Sequence, residues 1–168
     1  QSVATPEALV EAVANGGMIA LGADITLAET MQIPAGNEVE LDLNGHALTV
    51  VNASNTYAIN NYGTLTLKDS SNGNGSVTAR GIYNGYGYGG TNVPTAKITV
   101  ESGVYNAVGA NGGAAVYNYG IREVKGGKFT AVGSYALNSE AGAKMIVYGG
   151  EAVNSGIYVS GAELIIEG

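Results

Sequence analysis

The sequence predicts an all-β fold wound as a coil, in which short parallel strands stack turn upon turn, three to a turn, under one short capping helix. Three observations carry this. A pattern of an apolar residue, an outward polar or aromatic one, a small polar one and usually a glycine returns down the chain. It is clearest at Ile59-Asn60-Asn61-Tyr62-Gly63, Val116-Tyr117-Asn118-Tyr119-Gly120 and Ile157-Tyr158-Val159-Ser160-Gly161, and looser at Ile82-Tyr83-Asn84-Gly85 and Leu137-Asn138-Ser139. Its opening residues Ile59, Ile82, Val116, Leu137 and Ile157 recur every 20 to 34 residues, the period of architectures in which a repeat buries its apolar face only against its neighbours. The 27 glycines follow no G-X-Y period. They close short β-prone runs, as corners require.

Thr5-Pro6-Glu7 opens the one convincing helix, over residues 5 to 15. Thr5 is a good N-cap, Pro6 suits the first helical position and Glu7 lies where the helix dipole favours an anion. Leu9, Val10 and Val13 share a face, with Ala12 at its edge, and Asn15-Gly16-Gly17 stops the helix. Such a helix is expected to lie over the open end of the first turn, where core and strand edges would otherwise be exposed.

The turns of the coil fill residues 18 to 168, so that 1–168 reads as a single domain. Strands are predicted at Met18–Leu21, Ile25–Leu27, Met31–Ile33, Val39–Leu43 and Leu48–Val51, separated by Gly22-Ala23-Asp24, Pro34-Ala35-Gly36-Asn37 and Asn44-Gly45. Beyond Tyr57 three apolar columns emerge. The first holds the repeat openers. The second is Leu43, Leu67, Val100, Val124, Val147 and Ile166, and the third is Val77, Tyr105, Phe129 and Ala152. Strand alternation turns Leu65, Ile98, Met145 and Leu164 inward as well, with Lys68, Glu101, Lys125, Tyr148 and Glu167 outward. Arg122 interrupts the inward column, which predicts a bulge or register shift near Ile121–Val124. Residues 85 to 95, rich in glycine and tyrosine, read as a loop inserted at one corner.

Ile33-Pro34-Ala35-Gly36, Val39-Glu40-Leu41-Asp42-Leu43-Asn44-Gly45-His46 and Gly63-Thr64-Leu65-Thr66-Leu67-Lys68-Asp69-Ser70-Ser71 together resemble right-handed parallel β-helix proteins of the pectin-lyase-like type. More narrowly, they are similar to the Gly- and Asn-rich β-helical domains of bacterial surface proteins and of phage fibres or spikes. The resemblance spans nearly the whole chain. It implies a right-handed parallel β-helix, and for function either a structural and attachment module or a polysaccharide-degrading enzyme.

Composition narrows the options. A formal charge of −7 and seven scattered cations exclude the basic cluster that nucleic-acid binding needs. There is no cysteine, hence no disulfide or thiolate metal site. No apolar run reaches the roughly 18 residues that span a bilayer. No signal-peptide pattern stands at Gln1, which fits a mature or excised chain as well as one never secreted by that route. No closing element follows the strand Leu164–Ile166, so a homo-oligomer or a larger multidomain chain is expected.

The candidate ligand-binding residues are tyrosines. Asn60, Tyr83, Tyr117, Asn138 and Tyr158 should form an outward stripe, with Tyr62, Tyr119, Tyr86 and Tyr88 beside it or on the inserted loop. Eleven tyrosines against one phenylalanine and no tryptophan is a skewed choice, suited to packing a flat ring on a sugar or protein while the hydroxyl stays wet. The site is therefore Tyr83, Tyr86, Tyr88, Tyr117, Tyr119 and Tyr158. The plainer role for these rings is stacking from turn to turn. Asn61, Asn84 and Asn118, continued by Ser139 and Val159, read as a structural corner ladder.

Signs of catalysis are weaker. Glu38, Glu40 and Asp42 alternate on one strand and share a face, the nearest approach to a carboxylate cluster, though such a row suits a solvated face. Asp69-Ser70-Ser71-Asn72-Gly73-Asn74-Gly75 offers oxygen ligands but lacks the acid density of a calcium loop. His46, the only histidine, has no acid beside it in sequence. Thr64-Leu65-Thr66 and Thr99 are too few for an ice- or mineral-binding array. The paired-aspartate, Arg-x-Lys and Gly-His-Gly elements of pectinolytic relatives are absent. The expectation is thus a non-enzymatic, extracellular module on a cell or virion surface, without metal or cofactor, holding a glycan or protein receptor on its tyrosine face. The alternative is a lyase or depolymerase working at the Glu38/Glu40/Asp42 face.

Overall fold

The computed structural model describes residues 1–71, 73–109, 113–133, 135–153 and 155–167. Strand β1 (Ser2–Val3) leads into helix α1 (Pro6–Asn15). The first turn of the coil is β2 (Gly17–Leu21), β3 (Ile25–Leu27) and β4 (Met31–Ile33), and the second is β5 (Glu38–Asp42), β6 (Ala47–Val50) and β7 (Ile59–Asn61). β8 (Thr64–Lys68), β9 (Ser76–Ala79) and β10 (Ile82–Asn84) make the third. β11 (Lys97–Val100), β12 (Val104–Ala107) and β13 (Val116–Asn118) make the fourth. β14 (Ile121–Val124), β15 (Lys128–Ala131) and β16 (Leu137–Ser139) follow, then β17 (Lys144–Val147), β18 (Glu151–Val153) and β19 (Ile157–Val159). β20 (Glu163–Ile166) ends the series.

Each turn gives one strand to each of three parallel sheets. The first sheet runs β1-β2-β5-β8-β11-β14-β17-β20, the second β3-β6-β9-β12-β15-β18 and the third β4-β7-β10-β13-β16-β19. The protein is an all-β parallel β-solenoid with one N-terminal helix, as its repeats predict.

The register reproduces the predicted files. Ile59, Ile82, Val116, Leu137 and Ile157 pair in sequence along the third sheet, and Val77, Tyr105, Phe129 and Ala152 along the second. Val39, Leu65 and Ile98 head an inward file on the first sheet. Two expectations fail. Leu41, not Leu43, pairs with Leu67 and heads the second column. Leu43 is buried too, but past the strand end, where Asn44 (φ 47°) and Gly45 (φ 83°) swing the chain round the corner. Nor does Arg122 shift the register: it pairs with Ile98 on one side and Met145 on the other, fully buried. Its guanidinium donates to the carbonyls of Val116 (2.8 Å) and Asn138 (3.3 Å), to Ser139 Oγ (3.1 Å) and to Met145 Sδ. Those acceptors let the core hold the side chain without a bulge. In the last turns Ile157, Leu164 and Ile166 keep their inward register yet are exposed, with no further described strand over them.

Helix α1 closes the other end as expected, but its covered face is turned slightly from the predicted one, with Ala12 inside and Val10 exposed. Thr5 Oγ1 accepts from the Ala8 amide, and Leu9, Ala12 and Val13 are buried against the first turn. Asn37, one turn on, donates through Nδ2 to the carbonyls of Val13 and Ala14 (3.2 and 2.8 Å) and so satisfies the helix C-terminus.

Candidate functional site: a tyrosine face on the third sheet

The corner after each third-sheet strand explains the repeat. Asn61 Nδ2 donates to Asn84 Oδ1 (2.8 Å), Asn84 Nδ2 to Asn118 Oδ1 (2.8 Å) and Asn118 Nδ2 to Ser139 Oγ (3.2 Å), all buried. Each amide also reaches a carbonyl at the start of the next turn but one: Lys97, Ile121 and Lys144 respectively. Asn118 Oδ1 accepts from the Gly120 amide, and a Cβ at Gly120 would overlap the Ala96 carbonyl of the turn below. Asparagine and glycine are therefore fixed by the stacking, and the residue between them, Tyr62 or Tyr119, is left to face outward.

Stacking in register then gathers tyrosines from distant parts of the chain. Tyr83 lies at the centre, with ring centroids 3.8 Å from Tyr57, 4.3 Å from Tyr86, 5.7 Å from Tyr117 and 6.4 Å from Tyr119. Tyr86 and Tyr119 are 5.4 Å apart, and Tyr117 and Tyr119 6.4 Å. The inserted loop contributes by folding back: the Val93 amide donates to the Gly85 carbonyl (2.8 Å), and Tyr86 lies on Tyr83. Arg80 sits over the Tyr57 ring at 5.4 Å, a cation–π distance. Of the predicted residues, Tyr83, Tyr86, Tyr117 and Tyr119 come together. Tyr158 does not; it stacks on Tyr135 at 4.7 Å in a smaller pair of more exposed rings. The backbone of Tyr88 lies in a 3-10 turn, Tyr88–Gly90, and its side chain falls outside the described residues.

Two members of the outward stripe are covered. Asn60 and Asn138 keep their places in the file with Tyr83, Tyr117 and Tyr158, yet both are buried. Asn60 Nδ2 donates to the Tyr62 hydroxyl (2.8 Å) and the Tyr86 carbonyl (3.1 Å), groups that close over it. The Oδ1 atoms of both asparagines are buried without a partner among the described residues. Sequence reading missed Tyr57 as a member of the cluster. It precedes its strand by two residues and joins the site only because its ring reaches across to the next turn.

The cluster is electrostatically quiet. Burial raises the Tyr83 phenol far above its ordinary pKa, and a hydrogen bond with Tyr57 adds to this. Burial, then the Glu140 charge, pushes Tyr119 up to about 12. Burial also raises Tyr117, against the opposing effect of its hydrogen bond with Asn138. These hydroxyls stay protonated at physiological pH, so the face offers neutral rings and O–H groups.

The other candidate groups are engaged in structure. Glu38, Glu40 and Asp42 do line one face of β5, but Glu40 pairs with Lys68, and Asp42 Oδ1 accepts from the Asn44 and Ser70 amides (both 2.9 Å). Asp69 accepts from the Gly45, Ser71, Gly73 and Gly75 amides and the Ser71 hydroxyl, which leaves its oxygens little room for a cation; Asn72 of that loop lies outside the described residues. His46, isolated in sequence, meets Asp24 of the turn below at 3.3 Å, a pairing created by the stacking. Among the described residues no group of three His, Asp or Glu could hold a metal ion. A threonine file unforeseen in the sequence runs along the second sheet through Thr26, Thr49, Thr78, Asn106 and Thr130. Its polar groups bond one another, Thr26 to Thr49 at 2.8 Å and Thr130 to Asn106 at 2.6 Å.

Comparison of the chain with known protein families, with curated proteins and with solved structures finds no match.

Proposed function

We propose that the protein is a non-enzymatic attachment module, of the kind carried outside the cell on cell or virion surfaces, that takes a glycan on the tyrosine face of a stiff β-solenoid. The observation that carries this reading is the gathering of Tyr57, Tyr83, Tyr86, Tyr117 and Tyr119 along one face, on and beside the strands of the third sheet. Neutral rings of this kind pack against the C–H faces of a sugar, while phenolic hydroxyls meet its hydroxyl groups. The likeness to pectin-lyase-type β-helices of surface and phage proteins points the same way.

The test is an array of neutral and acidic glycans, with release of reducing or unsaturated ends measured in parallel. Saturable binding without turnover is expected. Tyr117→Ala should weaken it at least about tenfold, the loss of one well-packed ring, whereas Tyr148→Ala, on the first sheet, should leave it within about twofold. Turnover abolished by Asp42→Asn would replace this reading with the depolymerase. Capture of a protein receptor through the same rings, with no glycan bound, would reject the glycan.

A further inference from the structure

The capped end of the coil carries a second surface that does not rest on the tyrosine reading. Between the outer face of α1 and the corner joining β3 to β4 lies a groove of about 900 Å³, within the size range of ligand sites. Its floor is apolar, with Leu27 and Met31 buried beneath it and Val10 48 % exposed on its wall. Glu7, Glu11 and Glu29 line it, and no lysine or arginine does.

The carboxylates there lack the cations that most other acids of the surface have. All five lysines are ion-paired with glutamates of neighbouring turns: Lys68 with Glu40, Lys97 with Glu123, Lys125 with Glu101, Lys128 with Glu151 and Lys144 with Glu163. Of the two arginines, one is in the core and the other over a tyrosine ring. The groove carboxylates have no such partner among the described residues. Glu7 and Glu11 stand four apart on α1, a like-charge spacing that weakens a helix. Glu7 at least lies in the first turn, where the dipole favours it; Glu11 has no such compensation. Between them the helix exposes Val10. An apolar wall bracketed by unneutralised carboxylates is complementary to one chemistry, an apolar side chain flanked by cations.

We infer that this groove is a docking site for a basic peptide segment in which an apolar side chain is flanked by lysine or arginine. The apolar side chain would lie along Val10 over the floor, and the flanking cations would meet Glu7 and Glu11 on one side and Glu29 on the other. A second copy of this chain does not fit, because its lysines are already paired.

Fluorescence anisotropy with a labelled peptide of alternating lysine and leucine tests the inference, with glutamate–leucine and all-lysine peptides of equal length as controls. The lysine–leucine peptide should bind saturably, one to one, and the others at least about tenfold more weakly. The triple variant Glu7→Gln, Glu11→Gln, Glu29→Gln should weaken binding at least about tenfold. The charge-matched variant Glu38→Gln, Glu163→Gln, Glu167→Gln should leave it within about twofold. These exposed changes leave the fold intact, which circular dichroism checks. Equal loss in the two triple variants would reduce the effect to net charge and overturn the inference, as would undiminished binding in the first, equal binding of the all-lysine peptide, or no saturable binding. Tyr117→Ala, expected to weaken any glycan binding at least about tenfold, should leave peptide binding unchanged, so the two surfaces fail separately.

Discussion

Arg122 occupies a place the register reserves for an apolar side chain, between Ile98 and Met145 in a file headed by Val39 and Leu65. Its guanidinium finds four acceptors but no carboxylate, and Nε has no partner among the described residues. Burial accordingly pushes its pKa down to about 9. Desolvating a charge outweighs the hydrogen bonds it regains when no opposite charge accompanies it. Arg122→Met, which restores the apolar file at similar length, should therefore raise the unfolding free energy by about 1–3 kcal/mol. Denaturant unfolding at neutral pH measures it, and a loss of stability of that size would show the acceptors to be the stronger influence. The sequence marked this position as irregular, since a cation in an apolar column is visible there. Whether chain or core yields was not visible, because the answer lay with Ser139 and the carbonyls of Val116 and Asn138.

At the scale of single elements, the loop from β8 to β9 depends on one carboxylate. Burial would raise the Asp69 pKa, but donors at Gly75, Ser71 and Gly45 outweigh it and hold the group at about 2, below the ordinary value of about 3.9. The folded state is thus stabilised by the charged form, fully above about pH 4 and less and less as the pH falls towards 2. Asp69→Asn should destabilise the protein by about 2–3 kcal/mol at neutral pH, the scale of hydrogen bonds to a charged acceptor, and should flatten the stability profile between pH 4 and 2. An unchanged acid profile would contradict this. Local pattern revealed such elements unevenly. The Thr5-Pro6-Glu7 start of α1 and the Asn-x-Gly corners carry their own signals, because caps and corners are made by neighbouring residues. The burial of Asn60 carries none, since the groups that cover it come from Tyr62 beside it and from Tyr86 on a loop one turn away.

Across the whole molecule, the proposed function rests on turns of unequal length piling in register. The apolar files were legible because each strand alternates with period two and each turn repeats the last. The tyrosine face was legible only in part. Tyr83 and Tyr117 share a repeat position, but Tyr57 and Tyr86 enter from a strand approach and an inserted loop, where no period applies. The groove beside α1 was not legible at all, since residues from the helix and from the β3–β4 corner meet there only in the folded cap. The most direct test of the assembled face is nuclear Overhauser contact between rings in tyrosine-labelled protein. Cross-peaks should join Tyr83 to Tyr57, Tyr86, Tyr117 and Tyr119, with Tyr135 and Tyr158 joined separately. Rings that show contacts only within their own turn would mean that no shared face exists, and the attachment function built on it would fall.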